Sequence, residues 1–201
     1  MVFMVRAAFR PMMAFLAAML LLPATAQAQF SDSYNFLKAV RESNGAKATE
    51  MLNQPGSTIV DTKDRTTGET ALHITIARRD LSWTSFMLGK GAKPDTRDKE
   101  GNTPLMLAAQ LGFAEGAQLL LNRKANVNST NMRGESPLIR AVQNRDLRMA
   151  RMLLTAGADP DRADSLAGMS ARDYAKRDQR SAAILRAMDE IKKKPVVKMG
   201  P

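Results

Sequence analysis

Few residues in this chain have the chemistry of a catalytic or metal-binding site. There is no cysteine and one histidine, His73, so the sequence offers no thiolate nucleophile, no zinc–cysteine site and too few imidazoles for a catalytic triad. Asp61-Thr62-Lys63-Asp64 superficially suggests a metal loop, but no further ordered acidic residues follow, which favours a hydrated turn. No glycine-rich phosphate loop is present. We therefore expect a protein that is not an enzyme and that holds no cofactor or metal.

Charge and aromatic content narrow the kinds of partner. The chain has 30 basic and 20 acidic residues, a formal net charge of +10, which favours acidic partners or anionic surfaces. Aromatic residues make up 5% of the sequence, too few for the stacking platforms that bind single-stranded nucleic acid.

The first 28 residues differ from the rest. A basic opening precedes the uncharged apolar run Met12 to Leu22, and Ala26-Gln27-Ala28 follows as a small-x-small site. This order predicts a secretory signal peptide over 1–28, cleaved after Ala28, and a periplasmic or secreted mature protein. The alternative is a retained membrane anchor, although eleven apolar residues cover only about half of the ~20 that span a bilayer as a helix. Export also argues against a nucleic-acid partner.

A phrase that begins with glycine recurs along the remaining chain. It starts at Gly68, Gly101, Gly134 and, more weakly, Gly168, with spacings of 33, 33 and 34 residues. A fixed period of this length indicates stacked structural repeats.

One unit explains what each repeated position does. Thr103 is suited to cap a helix and Pro104 to occupy its first position, while Gly112 is suited to the left-handed turn that ends it. The first helix then has one apolar face, formed by Leu105, Ala108 and Ala109, and a second helix follows with Ala117 and Leu119 to Leu121. One such unit cannot bury its apolar faces alone, whereas stacked neighbours can.

These phrases resemble the ankyrin repeat family. Thr70-Ala71-Leu72-His73, Thr103-Pro104-Leu105-Met106 and Ser136-Pro137-Leu138-Ile139 are similar to its Thr-Pro-Leu-His phrase, and Leu153 to Asp159 to its Leu-Leu-x-x-Gly-Ala-Asp phrase. The resemblance implies an all-α solenoid of about five helix–turn–helix units with short hairpin-like loops, and a monomeric protein. It also implies structural roles for Thr70, His73, Thr103, Pro104, Ser136 and Pro137, with His73 hydrogen-bonding within and between repeats.

The resemblance sets the domain boundaries. We expect a repeat domain over 32–191, with units at 32–64, 65–97, 98–130, 131–164 and 165–191, and a basic, disordered tail over 192–201. The outer two units are degenerate, as expected for caps whose outer faces meet water.

Three basic residues depart from the pattern of glycine at helix ends. Arg79 and Arg145 occupy the place of Gly112, and Lys124 replaces a glycine at the end of a second helix. Each should cost up to about 1 kcal/mol if its backbone is left-handed. Trp83 has Phe86 and Met87 at i+3 and i+4, which predicts packing in the core, the alternative being an exposed anchor for a partner.

In such a solenoid, function is expected on the loop tips and on a concave face lined by the first helices. The predicted tip residues are Lys63, Arg65, Thr67, Thr96, Arg97, Lys99, Asn102, Thr130, Met132, Arg133, Glu135 and Arg162. The predicted concave-face residues are Arg78, Gln110, Arg140, Gln143 and Asn144.

The sequence thus predicts a protein-binding scaffold in the periplasm. The alternative is a peripheral membrane or envelope-polymer binder that acts through the basic tail, Lys192 to Pro201. Membrane contact is expected only through that tail.

Overall fold

The computed structural model describes the backbone of residues 24–193 and the side chains of residues 32–190. The predicted signal sequence up to Pro23 and the predicted tail from Lys194 lie outside the described residues, so both stay predictions. Lys192 and Lys193, predicted to begin the disordered tail, instead lie in the last turn of the helix Ala182–Lys193. Ala28 lies in the first described helix, and cleavage after it would leave that helix beginning at Gln29.

Ten α-helices form five consecutive pairs in the described part of the chain. They are α1 (Ala24–Arg41), α2 (Gly45–Leu52), α3 (Ala71–Ala77), α4 (Leu81–Gly89), α5 (Pro104–Leu111), α6 (Ala114–Asn122), α7 (Pro137–Gln143), α8 (Leu147–Thr155), α9 (Ala171–Arg177) and α10 (Ala182–Lys193). Short 3-10 turns lie at Ile59–Asp61 and Gln179–Ser181. An isolated bridge joins Ala163 and Ser170, and no longer strand occurs among residues 24–193. The all-α prediction is confirmed.

The helices begin at the residues that the repeated phrase predicts. The Thr103 hydroxyl accepts the Met106 N–H at 3.4 Å, and the Ser136 hydroxyl accepts the Ile139 N–H at 3.2 Å. Pro104 and Pro137 occupy the first helical position, where a missing N–H costs nothing. The first helices of successive units therefore start in the same way.

The pairs stack through both of their helices. Each first helix packs on the first helix of the next unit, and from α4 onward each second helix packs on the next second helix. Leu105, Leu120 and Leu138 are fully buried in the resulting continuous core. Phe36 of α1 and Ile184 of α10 extend that core into the two degenerate end units. The units are thus held by apolar surface that each buries on its neighbours.

Where another residue replaces glycine at a helix end, the backbone keeps the left-handed conformation. Arg79 (φ 54°), Gly112 (φ 64°) and Arg145 (φ 57°) are all left-handed, and so is Lys124 (φ 61°) at the end of α6. Ser43 takes the same conformation after α1, with φ 57°. The condition on which the expected energetic cost for Arg79, Lys124 and Arg145 depends is therefore met.

Candidate functional site

The loops between units form four compact tips: tip one (63–69), tip two (96–102), tip three (129–135) and tip four (162–169). Each tip is a tight turn around one Asp or Asn. In tip two the Asp98 carboxylate accepts the Glu100 and Asn102 N–H groups at 2.9 and 2.8 Å, and in tip three the Asn131 amide oxygen accepts those of Arg133 and Glu135, both at 3.0 Å. Asp64 and Asp164 fill the same place in tips one and four.

Backbone hydrogen bonds connect each tip to the next. The Lys99 N–H donates to the Thr67 carbonyl at 2.9 Å, the Met132 N–H to the Glu100 carbonyl at 3.0 Å, and the Ser165 N–H to the Arg133 carbonyl at 2.9 Å. We call each of these points, where one tip is hydrogen-bonded to the next, a crossing. The two tips can approach closely there because each crossing has a glycine, Gly68, Gly101 or Gly134. A Cβ on Gly101 would lie 2.9 Å from the Met132 nitrogen, and one on Gly134 would lie 2.6 Å from the Ser165 nitrogen. The tips are therefore one hydrogen-bonded row.

Several basic side chains predicted for the binding surface reinforce this row. The Lys63 ammonium donates to the Arg97 carbonyl at 2.7 Å, and the Arg97 guanidinium donates to the carbonyls of Gly101 and Thr130. Arg162 donates to the Asn128 carbonyl at 3.2 Å. Because these cations join neighbouring units, they help to position the tips. Their side chains are nevertheless exposed.

Glu135 is not on the surface of tip three, contrary to the sequence prediction. Its side chain is 7% exposed, and one carboxylate oxygen accepts from the Asn131 amide at 2.8 Å and from Arg133 and Arg140, both at 2.9 Å. Burial raises the pKa of Glu135, but the hydrogen bonds from Asn131 and Arg133 and the charge of Arg140 outweigh it, so the net pKa is lowered. The side chain of Arg140 is itself only 16% exposed.

The predicted concave-face residues divide into two groups. Arg78 donates to the Val40 carbonyl at 2.7 Å, and the Asn144 amide donates to the Gln110 carbonyl at 2.6 Å, so both cap the end of the preceding first helix. Gln110 and Gln143 are exposed, as Arg78 and Asn144 are, but they do not belong to this group of helix caps.

The remaining predicted tip residues differ in exposure. Asn102 and Thr130 are half-buried and bonded to neighbouring tips: Asn102 contacts Asn131, and Thr130 contacts Arg97. Thr96 is half-buried as well. The exposed predicted tip residues, apart from the cross-linking cations, are Arg65, Thr67, Lys99, Met132 and Arg133.

The most exposed large apolar side chains of the row flank its last crossing. Met132 is 77% exposed and Leu166, which the residue-level prediction omitted, is 75% exposed. Arg133, next to Met132, accepts through its carbonyl from Ser165, next to Leu166.

His73 has the structural role that the resemblance implied. It is fully buried, its Nδ1 lies 3.2 Å from the Thr70 nitrogen, and its Nε2 lies 3.1 Å from the Asn102 carbonyl oxygen of the next unit. Burial lowers its pKa, which disfavours the charged imidazolium. Trp83 is half-buried against the core, with its ring edge-on to Phe86 at 6.0 Å, so core packing describes it better than an exposed anchor.

One periodic signal in the sequence was missed. The turn residues Asp64, Asp98, Asn131 and Asp164 recur at 34, 33 and 33 residues. A second row, Asp61, Asp95 and Asn128, accepts the N–H groups of Lys93, Asn126 and Asp159 in the next unit at 2.8 to 2.9 Å. Their period would have identified them as structural acceptors.

Residues 24–193 include no helix long and apolar enough to cross a membrane. Among the described side chains, no group of three or more His, Cys, Asp or Glu could hold a metal ion.

The fold and the row of tips define a helical repeat protein. The family model for ankyrin repeats in three copies matches residues 36–131 and 84–164, and the chain belongs to the ankyrin repeat family. Ankyrin repeats are generally protein–protein interaction modules, and the family is typically non-enzymatic.

The chain is similar to part of each of several curated relatives. The chain is 35% identical to the mouse B-cell lymphoma 3 protein homolog over 46% of its own length and 22% of that protein. It is 33% identical to a putative ankyrin repeat-containing protein of Treponema pallidum over 54% of the chain and 37% of the relative. It is 29% identical to ankyrin repeat domain-containing protein 13C of Xenopus tropicalis over 65% of the chain and 25% of the relative. The chain therefore spans well under half the length of each.

Proposed function

We propose that this protein is a non-enzymatic scaffold that binds a partner protein through the row of tips and the exposed ends of the first helices. The observation that carries the proposal is the pair Met132 and Leu166. Both are large apolar side chains, 77% and 75% exposed, beside a backbone crossing that is itself hydrogen-bonded. Methionine is enriched at protein interfaces, and neither Met132 nor Leu166 belongs to the hydrophobic core or packs against it.

The rigidity of the tips supports the proposal energetically. Each turn is held by an Asp or Asn, and each tip is bonded to its neighbour, so the backbone is already ordered before a partner arrives. Binding then loses little conformational entropy, which leaves more of the contact energy as affinity. Lys99 and Arg133 surround the apolar centre with positive charge, which would steer an acidic partner and quicken association.

The compartment is part of the same proposal. The three-part pattern of residues 1–28 supports export to a periplasm or an equivalent space. N-terminal sequencing of the protein recovered from the envelope fraction should begin at Gln29. A protein found in the cytoplasmic fraction with an intact first segment would contradict this part of the proposal.

Crosslinking in the native envelope followed by mass spectrometry tests the surface. The test variant is Lys99→Glu with Met132→Glu, because neither side chain takes part in a hydrogen bond that holds the row. The wild type should yield a defined crosslinked protein, and the variant should lose most of it.

A matched control carries the same types of change on second helices. Leu81→Glu with Arg151→Glu alters one exposed apolar residue of α4 and one exposed basic residue of α8, 43% and 54% exposed. This control should retain the partner. If the tip variant and the control both keep the same crosslinked protein as the wild type, the tips are not the binding surface.

A further inference from the structure

A cleft lies between the ends of the first helices of the last two units. It has a volume of about 480 Å3, within the range of ligand-binding clefts. Its polar lining consists of Gln143, Arg145, Tyr174, Arg177, Asp178 and Arg180. Three guanidinium groups therefore face one carboxylate.

The single carboxylate is already paired. Asp178 accepts from Arg145 Nε at 2.6 Å and from Arg180 Nε at 3.2 Å, and also from the Arg180 backbone N–H at 3.1 Å. The hydrogen bond from Arg145 is the largest of the effects that lower the pKa of Asp178, so the group is ionised at neutral pH. One negative charge thus faces three positive ones, which leaves the cleft with a net positive charge.

Arg177 departs from the behaviour of its equivalents in other units. Arg78 and Asn144 stand 99 and 33 residues before it and cap the preceding first helix through its carbonyls. Arg177 instead contacts the Met169 sulfur at 3.9 Å, and sulfur is a weak acceptor. Its guanidinium is exposed at the mouth of the cleft.

Arg180 belongs to a turn that the other described units lack. The helices of the middle three pairs are joined by two or three residues, whereas α9 and α10 are separated by Asp178 and the 3-10 turn Gln179–Ser181. The side chain of Arg180 is 71% exposed. The last unit therefore adds two accessible guanidinium groups that hold no helix end.

We propose that this cleft binds an acidic segment of the partner protein, whose Asp or Glu carboxylates pair with Arg177 and Arg180. The inference rests on the proposed function, because it adds a second contact to the same scaffold. Planar guanidinium groups match carboxylates bidentately, and the Tyr174 ring supplies a wall for the methylene groups of an extended peptide. The recess favours a peptide over a membrane, since a lipid surface is flat and meets protruding residues first.

Fluorescence anisotropy with a short fluorescein-labelled peptide of alternating Glu and Ala tests the site. The wild-type chain should bind it, and a matched peptide of alternating Gln and Ala should not bind. Arg177→Gln with Arg180→Gln should weaken binding about fivefold or more, as expected for the loss of two accessible ion pairs. Circular dichroism should show unchanged helix content, because neither guanidinium caps a helix.

Arg148→Gln with Arg151→Gln is the matched control. It removes the same charge from α8, where both side chains are more than half exposed. Binding to this control should stay within about twofold of the wild type, because exposed charges at a distance are screened. Equal losses in the two double variants would show that the peptide senses net charge only and would overturn the site.

Two further outcomes of the peptide and vesicle experiments would also overturn it. One is equal binding of the Gln peptide. The other is binding to phosphatidylglycerol vesicles that requires Arg177 and Arg180 when the Glu peptide does not bind. If capture of the partner depends on Met132 but not on Arg177 or Arg180, and if replacing the two arginines leaves peptide binding unchanged, the cleft is rejected and the proposed tip surface stands. If peptide binding depends on the two arginines but capture of the partner does not depend on the tips, the cleft stands and the proposed tip surface is rejected.

Discussion

Two regions of the middle units, the crossings and the ends of the first helices, turn back with a left-handed backbone, and they tolerate different residues. At the crossings between tips the residue is always glycine, whereas at the ends of the first helices it is Ser43, Arg79, Gly112 or Arg145. A Cβ on Gly134 would lie 2.6 Å from the backbone of tip four. At Gly112 the nearest atom would be the Asp146 side-chain oxygen, at 3.2 Å. Close approach of the next unit, more than the sign of φ, is what demands glycine here.

The largest expected effect follows from replacing a crossing glycine. Gly134→Ala places a methyl group against the Ser165 nitrogen at φ 74°, so it should lower the free energy of unfolding by about 3 kcal/mol. Gly168→Ala is the matched control, because tip four is the last of the described tips and no described atom lies within 4 Å of the added Cβ. Its cost should be only about 1 kcal/mol, from the left-handed backbone alone. Urea unfolding followed by circular dichroism measures both, and equal costs would contradict the comparison.

The buried carboxylate of tip three gives the next largest effect. Glu135→Gln leaves Arg140, 16% exposed, without its charged partner, and should cost about 2 kcal/mol. Arg133→Gln removes the half-exposed partner and should cost less than about 1 kcal/mol. Chemical unfolding of the two variants should preserve this order. A reversed order would contradict the view that the buried charge of Glu135 contributes more to stability than its half-exposed partner Arg133.

The ion pair between Arg41 and Asp64 of tip one predicts how the stability of the protein changes at acidic pH. Arg41 donates to Asp64 at 2.6 Å, and this bond, with those from the Thr67 and Thr66 N–H groups, lowers the pKa of Asp64 from 3.8 to about 2. A lowered native pKa means that Asp64 stabilises the fold above about pH 4 and that this stabilisation is lost as the pH falls towards 2.

Asp64→Asn should therefore destabilise the protein at pH 7 by up to about 1 kcal/mol, since Arg41 is partly exposed. The difference from the wild type should shrink as the pH falls to 2. The turn itself should survive, because Asn131 already fills this position in tip three. Urea midpoints measured across that pH range check the prediction, and a difference that grows on acidification would refute it.

The smallest effect concerns a helix end. Lys124 is exposed and left-handed, so Lys124→Gly should stabilise the protein by about 0.5 kcal/mol. Asn122→Gly, in the last turn of α6, should instead destabilise it by about the same amount. Thermal melts of the two variants should shift in opposite directions. A lower melting temperature for Lys124→Gly would show that the lysine side chain itself stabilises the fold.

Local chemistry made much of the fold predictable from the sequence. Thr103 and Pro104 start a helix by their own geometry, and a strict period implies stacking, so helix starts and buried faces needed no knowledge of distant contacts. The structural role of His73 came from the resemblance. Alignment placed Arg79 and Arg145 at the position of Gly112, and the structure shows that their backbone is left-handed as well.

The surface was harder to predict, because its side chains pair with groups that the spacing does not reveal, about one unit away for Arg97 and within the same unit for Glu135. Arg97 is an arginine on a loop until the Thr130 carbonyl is placed beside it, and Glu135 is an exposed acid until Arg140 and Asn131 enclose it. The cleft at Arg177 arises from an irregular turn, Gln179–Ser181, that has no counterpart in the repeated phrase. The periodic turn residues, by contrast, were recognisable from spacing alone.

Hydrogen exchange at the tips tests most directly the claim that they form one rigid, bonded row. The N–H groups of Lys99, Met132 and Ser165 belong to residues with exposed side chains, yet each donates to the preceding tip at 2.9 to 3.0 Å. These three amides should be strongly protected, opening only when neighbouring units separate. Exchange of all three at the rate of an unstructured peptide would contradict the account.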